Sequence, residues 1–262
     1  MNVLKSLKEI ISYRELLFNI AIREIRVRYK QSVLGIVWAI IQPLATMIVF
    51  TVIFSVFMKV PSEGLPYPIF SYTALLPWTL FATSLSFAIP SLVSNASIVT
   101  KLYFPREIFP IASVLAAFVD FFIASIIFTG MLIFYKVSIN INVLFLIPIL
   151  LIQVLFTIGI ALFASALNVY YRDIKYGLPL VISLWMYACP IIYPVSVVPE
   201  KYINFYMLNP MAPIMDGYRK VLLHGIHPDF YYLSIAAFVS LATLILSYRF
   251  FKRVEMNFAD IM

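Results

Sequence analysis

Residues 23–44, REIRVRYKQSVLGIVWAIIQPL, change character at a single point. Arg23, Arg26, Arg28 and Lys30 put four cations into eight residues, and from Ser32 onward no charge appears until Lys59. A bilayer core takes about 20 apolar residues as helix, so 33–58 reads as a membrane span entered directly from a basic segment. Five further runs have the same character: 69–94, 110–135, 143–169, 177–195 and 230–248. Six transmembrane helices follow, several carrying proline, as at Pro43, Pro90, Pro148, Pro179 and Pro190. Such kinks are tolerated where neighbouring helices satisfy the freed backbone groups.

Composition agrees with this reading. Of 262 residues, 63% are hydrophobic and 12% charged, against about a quarter charged in a soluble domain. Mean hydropathy is +0.98. The first residues, MNVLKSLKEIISYRELLFN, are amphipathic and not a cleavable signal peptide by pattern. Cys189 is the single cysteine, which excludes disulfides within the chain and cysteine-based metal sites. His224 and His227, the only histidines, lack metal-ligand partners and read as loop residues. Net charge is +7, but the cations gather at the edges of the spans rather than on a soluble basic surface, so no nucleic acid is expected.

With the N-terminus in the cytoplasm, fourteen Lys and Arg fall on the inner segments and five on the outer ones. The positive-inside rule then puts both termini in the cytoplasm of a multi-pass protein. The chain divides into an interfacial helix, 1–32, and a six-span domain, 33–262. Leu4, Leu7 and Ile11 share one helical face in the first segment, as in a helix lying on a membrane surface. Arg23, Arg26 and Lys30 share another, with Glu24 and Arg28 as an i, i+4 pair beside it. The outer segment 196–229 is too apolar for a solvated loop and is expected to form re-entrant helices between spans five and six.

The absences bound function. There is no G-x-x-x-x-G-K-[ST], G-x-S-x-G or H-E-x-x-H. Enzyme activity of its own is therefore not expected, and no nucleotide binds through a P-loop. Asp120, inside the third span, costs about 2.5–3.5 kcal/mol to insert. It is either a proton or cation site or an intramembrane polar packing residue; no second ionisable residue in the spans is there to relay to it. The aromatics, 16% of the chain, fit interfacial belts, or in part a path along which sugar rings slide.

Four segments carry a resemblance, in order along nearly the whole chain: YRELLFNIAIREIRVRYKQSVLGIVWAIIQPL, VTKLYFPREIFP, NVYYRDIKYGLPL and LNPMAPIMDGYR. Together they resemble the permease subunits of ABC type-2 exporters for polysaccharides, the O-antigen and teichoic-acid group. The resemblance implies a subunit of the bacterial inner membrane that pairs with a second copy and docks two separate ATP-binding cassette subunits. ATP and Mg then belong to the partner, and no cofactor binds this chain. The loop 95–109 matches the coupling element, with Lys101, Tyr103, Arg106 and Glu107 as contacts, and Arg172, Asp173 and Lys175 form a second contact. The implied cargo is a polysaccharide on polyprenyl pyrophosphate, most closely O antigen; teichoic acid, capsule, or a smaller lipid or drug are the alternatives. Arg23, Arg26, Arg28 and Lys30 are expected to meet the pyrophosphate, the ATPase or anionic lipid headgroups. Trp38, Tyr202, Tyr206 and Tyr218 are the expected channel or gate residues. From other classes, a glycan-modifying membrane enzyme or an ion-driven carrier using Asp120 stays open.

Overall fold

The computed structural model describes residues 11–30, 32–101 and 104–261; Leu4, Leu7 and Tyr103 lie outside the described residues. Among these, every regular element is helical. Helix α1, Arg14–Tyr29, has Glu15 in its first turn and Arg26 and Arg28 in its last, charges that suit the helix dipole. The chain leaves it in extended conformation at Lys30 and turns at Gly35, whose φ of +51° only glycine adopts at little cost. The Gly35 amide donates to the Ser32 hydroxyl at 3.1 Å, fixing that corner.

Helix α2, Trp38–Phe50, is continued by a π-helical turn over Thr51–Phe57, and Pro43 lies buried inside it. Then come α3 (Tyr67–Ser94), the single turn α4 (Ala96–Val99), α5 (Ile108–Phe134) and α6 (Leu146–Tyr170). Helices α7 (Ile174–Tyr187), α8 (Glu200–Tyr206), α9 (Met211–Leu222), α10 (Phe230–Val254) and the short α11 (Phe258–Ile261) complete the chain. Among the described residues, five helical stretches are long and apolar enough to cross a membrane: Gly35–Phe57, Tyr67–Ser94, Ile108–Phe134, Ile141–Tyr170 and Phe230–Asn257.

The run 177–195, expected as one span, is divided. Helix α7 has 14 residues, about 21 Å at 1.5 Å per residue and short of a core about 30 Å thick. The chain then turns at Ala188 and stays non-helical to Pro194. Pro190 and Pro194 have no N–H to extend a helix, and the carbonyls left over are gathered by Arg219 of α9. Arg219 is 2% exposed; its Nη1 donates to the Pro190 and Tyr193 carbonyls, Nη2 to Ile191 at 2.6 Å and Nε to Phe70 at 3.3 Å.

Two clusters of buried apolar side chains hold the bundle. The larger joins α3, α5, α6 and α9 around Phe70, Tyr72, Phe81, Phe156 and Met215. Its polar spine is Gln153, which donates to the Pro77 carbonyl at 2.7 Å and accepts from the Tyr218 hydroxyl at 3.2 Å. Where α6 and α10 cross, Gly159 leaves so little room that a Cβ there would sit 3.0 Å from the Leu244 backbone nitrogen. Small residues at such crossings let the backbones approach and gain dispersion contact, which is what drives helices together in lipid. The smaller cluster sits at one end of the bundle. It brings Ile20 and Ala21 of α1 together with Phe104, Phe109, Val169, Phe251 and Phe258. The first helix, the loop before α5 and the end of the last long helix therefore share one end of the molecule.

Candidate functional site

Helix α1 is packed against α5, and Glu24 and Arg28 face it. Glu24 Oε1 accepts from the Ser113 hydroxyl at 2.9 Å. Four residues on, Arg28 forms an ion pair with Asp120, and the Tyr29 hydroxyl donates to the other Asp120 oxygen. Ile20 and Ala21 are buried, while the apolar Phe18, Ile22 and Val27 are exposed. Asp120 stands twelve residues into α5, about 18 Å from its start. The tip of α1 thus reaches well up the bundle, so it does not lie flat beneath it.

This corrects two expectations. Arg28 pairs with Asp120 and not with Glu24, whose carboxylate instead accepts from Ser113 of α5. Asp120 does have an ionisable partner, one supplied by the segment before the first span. The Arg28 side chain is 10% exposed and that of Asp120 18%. The guanidinium carbon lies 3.9 Å above the Phe87 ring, so an aromatic face stands where the buried Nε and Nη2 have no hydrogen-bond acceptor. At Glu24, burial raises the carboxyl from its ordinary value, opposed by the Ser113 hydrogen bond and by Arg28 and Arg23.

Beside this pair opens a cavity of about 530 Å³ between α2, α3 and α5, with Met186 of α7 at its edge. Trp38, expected in a channel, lines it with Arg28, Tyr29 and Asp120. The other expected gate residues lie elsewhere. Tyr218 is 4% exposed and bound to Gln153 in the core, so it faces no passage within this chain. Tyr206 donates to the Tyr193 hydroxyl at 3.3 Å, and Tyr202 is exposed on α8.

The four cations Arg23, Arg26, Arg28 and Lys30 do not form one surface. Arg26 and Lys30 are exposed, Arg28 is held by Asp120, and Arg23 donates to Asn95 at the head of the loop before α5. In that loop Lys101 is exposed. Glu107, expected as a contact for a partner, is 1% exposed and turned inward: Lys252 of α10 lies 2.8 Å away and the Tyr248 hydroxyl donates to it at 3.1 Å. Arg106 donates to the Glu255 carbonyl. The two residues tie the loop to the last helix. Arg172 and Asp173 are exposed on the turn between α6 and α7, and Lys175 is exposed in the first turn of α7. Among the described residues no His, Cys, Asp and Glu gather in a group able to hold a metal.

Arg219 escaped the sequence reading, which counted it as a loop cation. A signal was present: it lies four and eight residues after Met215 and Met211, on the apolar face of α9, whereas Lys220 pairs with Asp216 on the other.

A family model described as ABC-2 type transporter matches residues 15–223. The O-antigen export system permease protein RfbA of Klebsiella pneumoniae is 32% identical over 249 residues, covering 95% of each chain. The protein of the same name from Myxococcus xanthus is 28% identical over 261 residues, 98% of this chain and 99% of that one. More distant is the polysialic acid transport protein KpsM of Escherichia coli, 21% identical over 242 residues, 89% of this chain and 91% of the relative.

Proposed function

The chain belongs to the ABC-2 type transporter family, and from that premise we propose that it is the permease half of an ATP-driven exporter. Its cargo is a polysaccharide carried on polyprenyl pyrophosphate, O antigen in the first instance. It works in the bacterial inner membrane as a pair of identical chains served by two ATP-hydrolysing partner subunits. The relatives are named as permease and transport proteins, which fits a transport subunit rather than an enzyme.

The observation that carries this reading is the cavity between α2, α3 and α5, whose polar side chains stand within helices long and apolar enough to cross a membrane. The clustering of α1 with the ends of α5, α6 and α10 supports an even number of crossings, with the described chain's first and last helices on one side. Helix α7 with its non-helical continuation then makes the sixth crossing, and α8 and α9 are the re-entrant helices on the outer side. The excess of cations on the α1 side supports a cytoplasmic orientation. Arg23–Asn95, Arg28–Asp120 and Glu107–Lys252 join α1 and α10 to the loop before α5 and to α5 itself, so a push on that loop reaches the cavity wall.

Complementation tests the proposal. A strain lacking its own O-antigen export permease should regain surface O antigen when supplied with this chain and its ATPase, and should not when the ATPase's phosphate-binding lysine is replaced. Surface display that persists with the inactive ATPase contradicts it.

A further inference from the structure

The cavity beside Arg28 carries a row of polar side chains on each of two otherwise largely apolar walls. Trp38, Gln42 and Thr46 line it from α2 at i, i+4 and i+8, and Thr79, Thr83 and Ser86 line it from α3 at i, i+4 and i+7. Each set occupies one helical face. The Thr46 hydroxyl donates to the Gln42 carbonyl at 3.0 Å, Thr79 to Leu76 at 2.7 Å and Ser86 to Ala82 at 2.8 Å. These hydroxyls commit their protons to their own helices and keep their oxygens as acceptors.

Among the described residues only two charged side chains line the cavity, Arg28 and Asp120, and they are paired with each other. The rest of the Arg28 guanidinium is buried against Phe87. The cavity therefore carries no net charge and offers no free cation.

We infer that this cavity passes uncharged sugar residues and discriminates against glycans that carry carboxylates. The inference rests on the exporter reading above and names the charge class of the cargo. A neutral sugar hydroxyl both donates and accepts, so it can donate to the oxygens of Thr46, Thr79 and Ser86. A carboxylate only accepts. Between these walls it gives up hydration, finds only neutral N–H donors such as the Gln42 amide and the Trp38 indole, faces the Asp120 carboxylate and gains no counter-ion.

The test reconstitutes the chain with its ATPase partner in vesicles and supplies two lipid-linked glycans of equal length. One is built of hexoses alone, and the other carries a sialic acid in every repeat. ATP-dependent transfer of the hexose glycan should be faster by at least about tenfold. Gln42→Lys adds one cation to the wall and should bring the two rates together by speeding the acidic glycan. Equal rates in the native complex, or faster transfer of the acidic glycan, overturn the inference and leave the exporter reading standing. So does an unchanged ratio in a folded Gln42→Lys complex. No ATP-dependent transfer of either glycan overturns the exporter reading, and this inference with it.

Discussion

Arg28 on α1 and Asp120 on α5, 92 residues apart in the chain, form an ion pair that fastens the segment before the first span to the middle of a later helix. Removing one member leaves the other's charge unpaired in a largely buried site. Asp120→Ala should therefore destabilise the protein by about 3 kcal/mol, read by thermal unfolding in detergent. The double replacement Arg28→Met with Asp120→Leu should cost less than Asp120→Ala alone, because no charge is left unpaired. A double variant weaker than either single one contradicts the pairing.

Glu107 and Lys252 should behave as a joint between the loop before α5 and the last helix. Glu107→Gln keeps the shape and removes the charge. Glycan export should fall by about fivefold or more while the partner's ATP hydrolysis changes little, since a coupling free energy of 1 kcal/mol or more is lost. Measuring both rates on one preparation separates this outcome from simple misfolding, which lowers the two together.

The crossing of α6 and α10 depends on Gly159. In Gly159→Val the new side chain meets the Leu244 backbone, which cannot swing aside as a side-chain tip would. Destabilisation of about 1–3 kcal/mol is expected. Gly130→Ala on α5, where nothing lies within 4 Å, is the matched control and should be neutral or slightly stabilising.

Arg219 should be required for the form of the chain after α7. Arg219→Met leaves the carbonyls of Phe70, Pro190, Ile191 and Tyr193 without their donor, at a cost of more than about 3 kcal/mol. Limited proteolysis should then cut between Ala188 and Pro199, where the native protein resists. Arg219→Lys should rescue only in part, because an ammonium cannot reproduce the fork.

The long helices were legible because their signal is one-dimensional: an apolar run such as 110–135 has to be helical wherever it sits in a bilayer. Helix α10 runs on through Arg249, Lys252 and Arg253, where the apolar run ends, because cations suit a helix C-terminus and Lys252 has Glu107 and Glu255 to meet. The pairings were not legible. Arg28 stands four residues from Glu24, and only the packing of α1 on α5 decides that Asp120 wins. The division of 177–195 was half visible in Pro190 and Pro194, but the arginine that makes the break affordable comes from 29 residues further on. Trp38, at the start of a span, lines the cavity, whereas Tyr218 of the outer segment is buried in the core.

The central claim is that this chain moves a lipid-linked polysaccharide outward with energy from a separate ATPase. The direct measurement is transfer of labelled lipid-linked glycan across vesicles holding the purified chain and that partner, with and without ATP. The account predicts transfer that requires both ATP and an intact partner and leaves the glycan chemically unchanged. Transfer driven by an ion gradient without ATP, or glycan altered by the chain alone, would contradict it.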